Sequence, residues 1–393
     1  MVNFLRMCKT YGNVSNETFP YVAKEGAMAV GARPARPTIR DVAAAAGVSL
    51  GTASRALNGH KNVSPGNVER VRMAVSQLGF QLNAHARSLR SAHSGTIGVL
   101  VSDIRNPFFA EIARAAEIVA LENGYVTLLA NADESVEQQD TYLRGMVSHR
   151  IDGLLAAPQG DGTGSLKEIV ASGLPVVFVD RTIDGLDVPS VTSDSRPGLW
   201  EALAHLRSLG HNRIGFIAGP QATSTGRERL VVFLSEAREA GIPQPSELVA
   251  RGDFQSRSGE VGAHLLMSLA NPPTALIAAD SLMGVGALVA LKALGLRVGR
   301  DVSVIAFDDL PYASLFDPGL TVIDQDAEAM GRLAGEGLMA VIGGERPASV
   351  VLPTRLVVRG SCRAPALARK SPIQATERSQ GAPAPHTGRQ DHL

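Results

Sequence analysis

Charged side chains at the ends of apolar runs are the first residues that suggest chemistry. Asp280 and Asp308 close the runs "IAAD" and "IAFD", Asp180 and Arg181 follow "VVFV", and Arg229 comes just after "TSTG". A guanidinium set against a carboxylate can clamp vicinal hydroxyls, and the ring of Phe254, in "GDF", can cover the flat face of a sugar. A second concentration of charge lies upstream. Between Thr38 and Arg90 seven cations (Arg40, Arg55, Lys61, Arg70, Arg72, Arg87 and Arg90) face only Asp41 and Glu69, a balance of +5 in a chain whose formal net charge is zero. Such a block in a neutral chain marks one module that touches phosphate and others that do not.

The same inspection weighs against catalysis. There is no HExxH, no nucleophile elbow, no dinucleotide fingerprint and no acid–base pair at telling spacing. The cluster "GDGTG", Gly160 to Gly164, lacks the lysine of a phosphate loop and reads as a surface turn, and His205 and His264 sit in helical patterns as structural side chains. Cys8 and Cys362 lie near opposite chain ends, which supports neither a disulfide framework nor a clustered metal site. The reading is therefore a non-enzyme without cofactor or metal. No apolar run reaches membrane-spanning length, and "MVNFLRMCKTYGNVSNETF" lacks the unbroken apolar core of a secretory signal. A cytoplasmic protein with no membrane partner is expected.

Those side chains need elements to hold them, and 393 residues, 45% of them hydrophobic, suffice for two or three domains. In "TIRDVAAAAGVSLGTASRALNG" helical spacing runs through Ile39, Val42, Ala43 and Ala46, then breaks at Gly47 and resumes at Ala53, Ala56 and Leu57. Gly47 permits a left-handed turn, Val48 tucks into the angle, and Ser49 caps the next helix. A third helix follows from Ser64 and Pro65, with Val68, Val71, Val75 and Leu78 on one side. Three short helices with a tight turn between the first two predict a helix-turn-helix, whose second helix offers its amino-terminal end to the DNA major groove.

From Thr96 the pattern changes to short apolar runs alternating with amphipathic helices, the mark of parallel α/β structure. The predicted strands are "TIGVLV", "YVTLLA", "GLLAA" and "PVVFVD", then "RIGFIAG", "TALIAA" and "VSVIAFD". Two series in succession predict two lobes of similar design, with ligands at the carboxyl ends of the strands.

Together these segments resemble one family. "TIRDVAAAAGVSLGTASRALNG", "NAHARSL", "IGVLVSDIRNPFFAEI", "DGLL", "LGHNRIGFIAGP", "GDF", "AAD" and "LPTRLVVRGS" are similar, in order, to segments of the LacI/GalR bacterial repressors, over roughly Thr38 to Cys362. The resemblance implies a helix-turn-helix head, a hinge helix and a two-lobed core like that of the periplasmic binding proteins. It gives 37–81 as the head, 82–94 as hinge and linker, 95–191 with 325–353 as lobe 1 and 192–324 with 354–363 as lobe 2. Outside it, residues 1–36, without periodicity and ending in "GARPARP", read as a disordered leader, and 364–393, rich in Pro, Gln and Ser without apolar spacing, as a disordered tail.

It further implies that Leu50, Gly51 and Arg55 read bases, Arg55 by gripping guanine O6 and N7, while Thr38, Ser49, Thr52, Ser54 and Asn58 contact phosphate. In the hinge, Asn83 caps the helix, Arg87 is a further DNA contact, and Leu89 wedges between base pairs of the minor groove. Ala53 stands where a bulkier aliphatic is common, and Leu82 where many relatives have proline. Arg229, Phe254, Asp280 and Asp308 converge with Asn106, Phe108, Asp180 and Arg181 on an effector cleft between the lobes, with Asp194 a weaker candidate. The bland alternatives are that the aspartates cap helices, that Arg229 pairs with Asp308 as structure, and that Phe108 or Phe109 belongs to the core.

The function so implied is a homodimeric repressor of near-palindromic double-stranded operator DNA, controlled by a small sugar-like effector. A solute-binding protein without a DNA role is the competing reading. The basic head and the missing secretion signal weigh against it.

Overall fold

The computed structural model describes residues 37–58, 60, 62–80, 93–160 and 164–365. The chain forms two compact units that meet in sequence at Asn83. The hinge residues Asn83, Arg87 and Leu89 lie outside the described residues, as do most of the leader and tail.

The first unit holds α1 (Ile39–Ala45), α2 (Leu50–Leu57) and α3 (Pro65–Leu78). Thr38 and Asp41 close a capping box at the start of α1, each side chain serving the other's backbone amide. Gly47 then takes φ +62°, and the Val48 amide donates back to the Ala43 carbonyl at 3.0 Å. Ser49 starts the next helix by accepting the Thr52 amide at 3.2 Å. Ser64 occupies the cap position of α3 without a side-chain hydrogen bond, leaving Pro65 to set the first turn. Val42, Ala43, Ala46, Ala53, Val71 and Ala74 make the small core, with Val48, Leu57, Leu78 and Phe80 around it.

The second unit carries two six-stranded sheets. The first contains β1 (Thr96–Val101), β2 (Val126–Asn131), β3 (Gly153–Ala156), β4 (Val176–Val179), β5 (Ser190–Asp194) and β11 (Val350–Pro353), in the all-parallel order β11-β5-β4-β3-β1-β2. The second contains β6 (Ile214–Ala218), β7 (Val249–Arg251), β8 (Ala275–Ala278), β9 (Ser303–Phe307), β10 (Thr321–Asp324) and β12 (Arg355–Val357). Its order is β12-β10-β9-β8-β6-β7, parallel except for β12. Helices α4 (Pro107–Glu122), α5 (Val136–Ser148), α6 (Ser165–Ala171) and α11 (Ala327–Ile342) pack with the first sheet. Helices α7 (Arg196–Ser208), α8 (Ser224–Glu239), α9 (Ser256–Met267) and α10 (Ser281–Ala293) pack with the second. Strands β1, β3 and β4, like β6, β8 and β9, are buried almost throughout, which is why they read as unbroken apolar runs.

The chain crosses between lobes three times, after Asp194, at Gln325–Asp326 and at Thr354. The crossings are tied together. The Thr354 hydroxyl donates to the Asp194 carbonyl at 2.8 Å and accepts the Gly198 amide at 2.9 Å, and Ser193 Oγ donates to Gln325 Oε1 at 2.6 Å. The first crossing corrects the sequence boundary, which divided the lobes between residues 191 and 192. Val191 to Asp194 pair without interruption with Val350 to Pro353, so β5 belongs wholly to lobe 1. Its polar composition, "SVTSD", kept it out of the predicted strands.

In each lobe the order reverses where one central strand lies between its neighbours, at β1/β3 and at β6/β8. Open α/β sheets place ligands at such points.

If Gly47 is the turn's only free choice, Gly47→Ala is expected to destabilise the head by about 1–2 kcal/mol, the strain of a left-handed alanine. Hydrogen exchange in the full-length protein should then show faster exchange in α1 and α2 with the lobes unchanged. Unaltered protection of both helices would contradict this.

Candidate functional site

The cleft is assembled from the loops that leave these strands. Asn106 caps α4 by accepting the Phe108 amide at 3.0 Å, and Asp280 caps α10 by accepting the Met283 amide at 2.9 Å. The two caps meet across the cleft, where Asn106 Nδ2 donates to Asp280 Oδ2 at 3.1 Å and Ser281 Oγ donates to Asn106 Oδ1 at 3.1 Å. Asp180 and Arg181 follow β4, Asp308 follows β9, and Arg229 projects from the second turn of α8. All seven of these polar side chains are buried, with relative exposures of 1–5%.

Their partners come from both lobes. Arg229 donates to the Ala279 carbonyl at 2.7 Å and to Gln325 Oε1 at 2.8 Å, lies 3.9 Å from Asp180 Oδ1, and stacks 4.3 Å above the Phe307 ring. Gln325 in turn donates to Asp308. The alternative in which Arg229 pairs with Asp308 is met only through the Gln325 amide. Arg181 forms a two-pronged ion pair with Glu134, both distances 2.7 Å, and donates to Gln159 Oε1 at 2.7 Å. Its guanidinium carbon is 5.0 Å from the Phe254 ring centre and 5.6 Å from that of Phe109. Phe108 is buried against Phe109, edge to face. Asp194 does something else: its carboxylate accepts the Arg196 amide at 2.9 Å at the start of α7.

Two features separate this cluster from ordinary ion pairing. Asp180, Phe254 and Asp308 all have positive φ, 64°, 65° and 65°, and Asp133 and Glu134 at the rim have 51° and 56°. For a bulky ring such as Phe254 this is costly, and strain of this kind gathers where a binding geometry is over-determined. A Cβ on Gly219 would collide with the Phe254 ring, so the glycine of "IAGP" makes room for it. Second, Asp180 Oδ1, Arg181 Nε and Arg229 Nε are buried with no hydrogen-bond partner among the described residues, Arg181 Nε lying 3.4 Å from Asp180 Oδ2. Orphaned buried polar atoms cost about 1–3 kcal/mol each unless something supplies the bond.

Burial also governs charge. It pushes the Asp180 carboxyl up to about 6 against the pull of Arg181 and Arg229. It pushes Asp280 up to about 8, with the Asp308 carboxylate adding to the effect, and raises Asp308 despite Arg229 and Gln325. Arg181 pays for burial too, but Glu134 and Asp180 more than offset this and hold it charged.

Nearer the surface a cavity of about 480 Å³ is lined from lobe 1 by Arg105, Glu134 and Gln159 and from lobe 2 by Pro220, Thr223 and Gln255. Arg105 bridges the lobes by binding Asp103 at 2.9 Å and Gln255 Oε1 at 3.0 Å. The Thr182 amide donates to Ser224 Oγ at 3.0 Å, a further bond across the cleft. Glu134, Gln159, Gln255 and Gln325 were all missed by sequence reasoning. Only the strand-end position of Gln325, after "TVID", carried a signal that could have found it.

In the first unit, α2 exposes Leu50 (45%), Gly51 and Arg55. Arg55 Nε donates to the Gly51 carbonyl at 3.2 Å. Thr38, Ser49 and Thr52 are engaged in the helix caps, and Asn58 Nδ2 donates to the Ser54 carbonyl at 2.8 Å.

Residues 38–83 match the description "Bacterial regulatory proteins, lacI family", and residues 203–362 match "Periplasmic binding protein-like domain". The HTH-type transcriptional repressor CytR of Escherichia coli (strain K12) is 33% identical over 329 residues, covering 83% of this chain and 96% of CytR. The chain belongs to the lacI family. Among solved structures, the lac repressor dimer bound to operator and the anti-inducer ONPF superposes with a TM-score of 0.72 at 29% identity, covering 84% of this chain and 99% of that one. The complex of the transcriptional regulator CelR with cellobiose has a TM-score of 0.63 at 33% identity, covering 83% and 100%. This lacI-family protein is a DNA-binding transcriptional regulator, and no helix among its described residues is long and apolar enough to cross a membrane.

The raised carboxyls fix the sign of a pH effect. Asp180 and Asp280 hold protons in the folded protein at pH values where the unfolded chain, with carboxyls near 4, has lost them. Their contribution is therefore full below about pH 4 and is lost as pH rises through about 6 and then about 8. Thermal unfolding of the core should show falling stability over this window, and Asp280→Asn should make its upper half shallower. An unchanged slope in the variant would contradict the assignment.

Proposed function

We propose that the regulator is a homodimer that binds a near-palindromic operator in the cytoplasm and that a small, uncharged sugar in the cleft sets its DNA affinity. The observation that carries this reading is the buried cluster from both lobes in which Asp180 Oδ1, Arg181 Nε and Arg229 Nε, though near opposite charges, accept or donate no hydrogen bond among the described residues. Sugar hydroxyls donate and accept at once, so they suit a mixture of carboxylates, guanidiniums and amides, while Phe254 offers an apolar face. The relatives support it: CelR is seen with cellobiose, and the lac repressor dimer with operator.

Charge narrows the ligand class. Asp180, Asp308, Glu134 and Asp133 face Arg181, Arg229 and Arg105, Asp280 is held protonated by burial, and all three guanidiniums are already engaged by protein groups. A phosphate here would meet carboxyls, so unphosphorylated sugars fit and sugar phosphates do not. Closure of the lobes differs between the effector-bound and effector-free states, and only that difference in affinity moves the DNA equilibrium, in either direction. On the DNA side, Arg55 grips a guanine, Leu50 packs on a thymine methyl and Gly51 reads nothing, while Thr38, Ser49, Thr52, Ser54 and Asn58 hold phosphates and the hinge residues Asn83, Arg87 and Leu89 enter the minor groove.

Two experiments test the two ends. A thermal-shift screen of neutral sugars beside their phosphates should find binders only among the neutral set, and Arg229→Ala should abolish the shift; a sugar phosphate that binds better would overturn the charge argument. DNA selected from a random library should lose about 1–3 kcal/mol of discrimination at one base pair per half-site with Arg55→Ala. Unchanged base preference would remove Arg55 as a reader.

A further inference from the structure

The chain that leaves the head reaches lobe 1 at the opposite end of the sheet from the cleft. Its last residues before β1, Ser94 and Gly95, lie outside the strand, yet their backbone is bound. Asp152, in the loop before β3, accepts the Ser94 amide on Oδ1 at 2.8 Å and the Gly95 amide on Oδ2 at 2.7 Å. Gly95 has φ +69°, which turns two successive amides toward one carboxylate, the geometry of an anion nest. The surrounding backbone is fixed as well. The Gly95 carbonyl accepts the Val126 amide at 2.9 Å, the Asp152 amide donates to the Thr96 carbonyl at 2.8 Å, and Ser94 Oγ accepts the Thr96 amide at 3.1 Å.

The Asp152 side chain is 6% exposed. A carboxylate so buried is tolerated only when strongly bonded. Here both oxygens accept amides of the connecting segment, and the His93 imidazole of that segment lies 4.0 Å from Oδ1. The six residues of β1 separate this nest from the cleft by about 20 Å, so the carboxylate has no part in binding an effector.

We infer that Asp152 is a positioning residue for operator binding: it makes Ser94 and Gly95 part of lobe 1, so that the path to the head starts from a fixed point. The inference rests on the dimeric, operator-binding reading above. Two heads can engage two half-sites together only if each leaves its core at a set place, whereas non-specific binding makes no such demand.

The test uses full-length protein and DNA enriched from a random library by the unaltered chain. Asp152→Asn replaces one acceptor oxygen by a donor, and Gly95→Ala opposes the nest from its other side through the positive φ. Both are expected to speed exchange of the Ser94 and Gly95 amides and to weaken binding to the enriched DNA at least tenfold. Binding to random DNA should stay within about twofold, and the melting of the core should move little. Faster amide exchange with unchanged affinity for the enriched DNA overturns the inference, as does a loss that only tracks unfolding of the core. If the unaltered protein enriches no sequence, the operator-binding reading itself fails.

Discussion

Charge buried where two sheets meet is the constraint around which the core is arranged. Arg229 comes from lobe 2, Asp180 and Arg181 from lobe 1, and Gln325 from the chain between them. Arg181 finds Glu134 and Gln159 within lobe 1, whereas Arg229 of lobe 2 and Asp180 of lobe 1 approach each other across the cleft at 3.9 Å. An isolated buried guanidinium or carboxylate costs far more than the few kcal/mol by which a domain is stable, so the lobes must bring partners to each other. Gln325 joins Arg229 to Asp308 and is itself held by Ser193. The crossing at Gln325 therefore passes through the cluster it serves.

The same constraint explains why the cleft can act as a switch. Removing one partner from a buried ionic group is costly, so a change in how the lobes close reorganises several bonds at once. Asn106 to Asp280, Arg105 to Gln255 and Thr182 to Ser224 are bonds that span the cleft. A ligand that supplies hydroxyls to the unpartnered atoms favours one arrangement over the other by the difference in its affinity, and no more. At the other end of β1 a further buried carboxylate, Asp152, is bonded to the backbone of Ser94 and Gly95.

Much of this was legible in the sequence for physical reasons that can be named. Gly47 announced its turn because no other residue type interrupts two helical patterns so cleanly. The central strands announced themselves as apolar runs, since burial on both faces removes any alternation. Strand-end aspartates stood out because a charge after four buried residues must be capping, pairing or binding. The rest was hidden by composition. Strand β5 is polar and β7 and β12 are three residues long, too little pattern to find. Glu134, Gln159, Gln255 and Gln325 sit in loops, and amides and carboxylates there look like ordinary surface. Phe109, rather than Phe108, faces Arg181, a choice of adjacent rings that only the backbone makes. The positive φ of Phe254 had no sequence signal at all, beyond the glycine at 219 that makes room for its ring.

Reciprocal coupling tests the account most directly. The affinity of a core-stabilising neutral sugar would be measured by calorimetry with free protein and with protein saturated by its selected DNA. The DNA affinity would be measured with and without that sugar. Linkage requires the two ratios to be equal, and an effector cleft built from both lobes predicts a factor of about five or more. A sugar that binds free and DNA-bound protein equally well would contradict it.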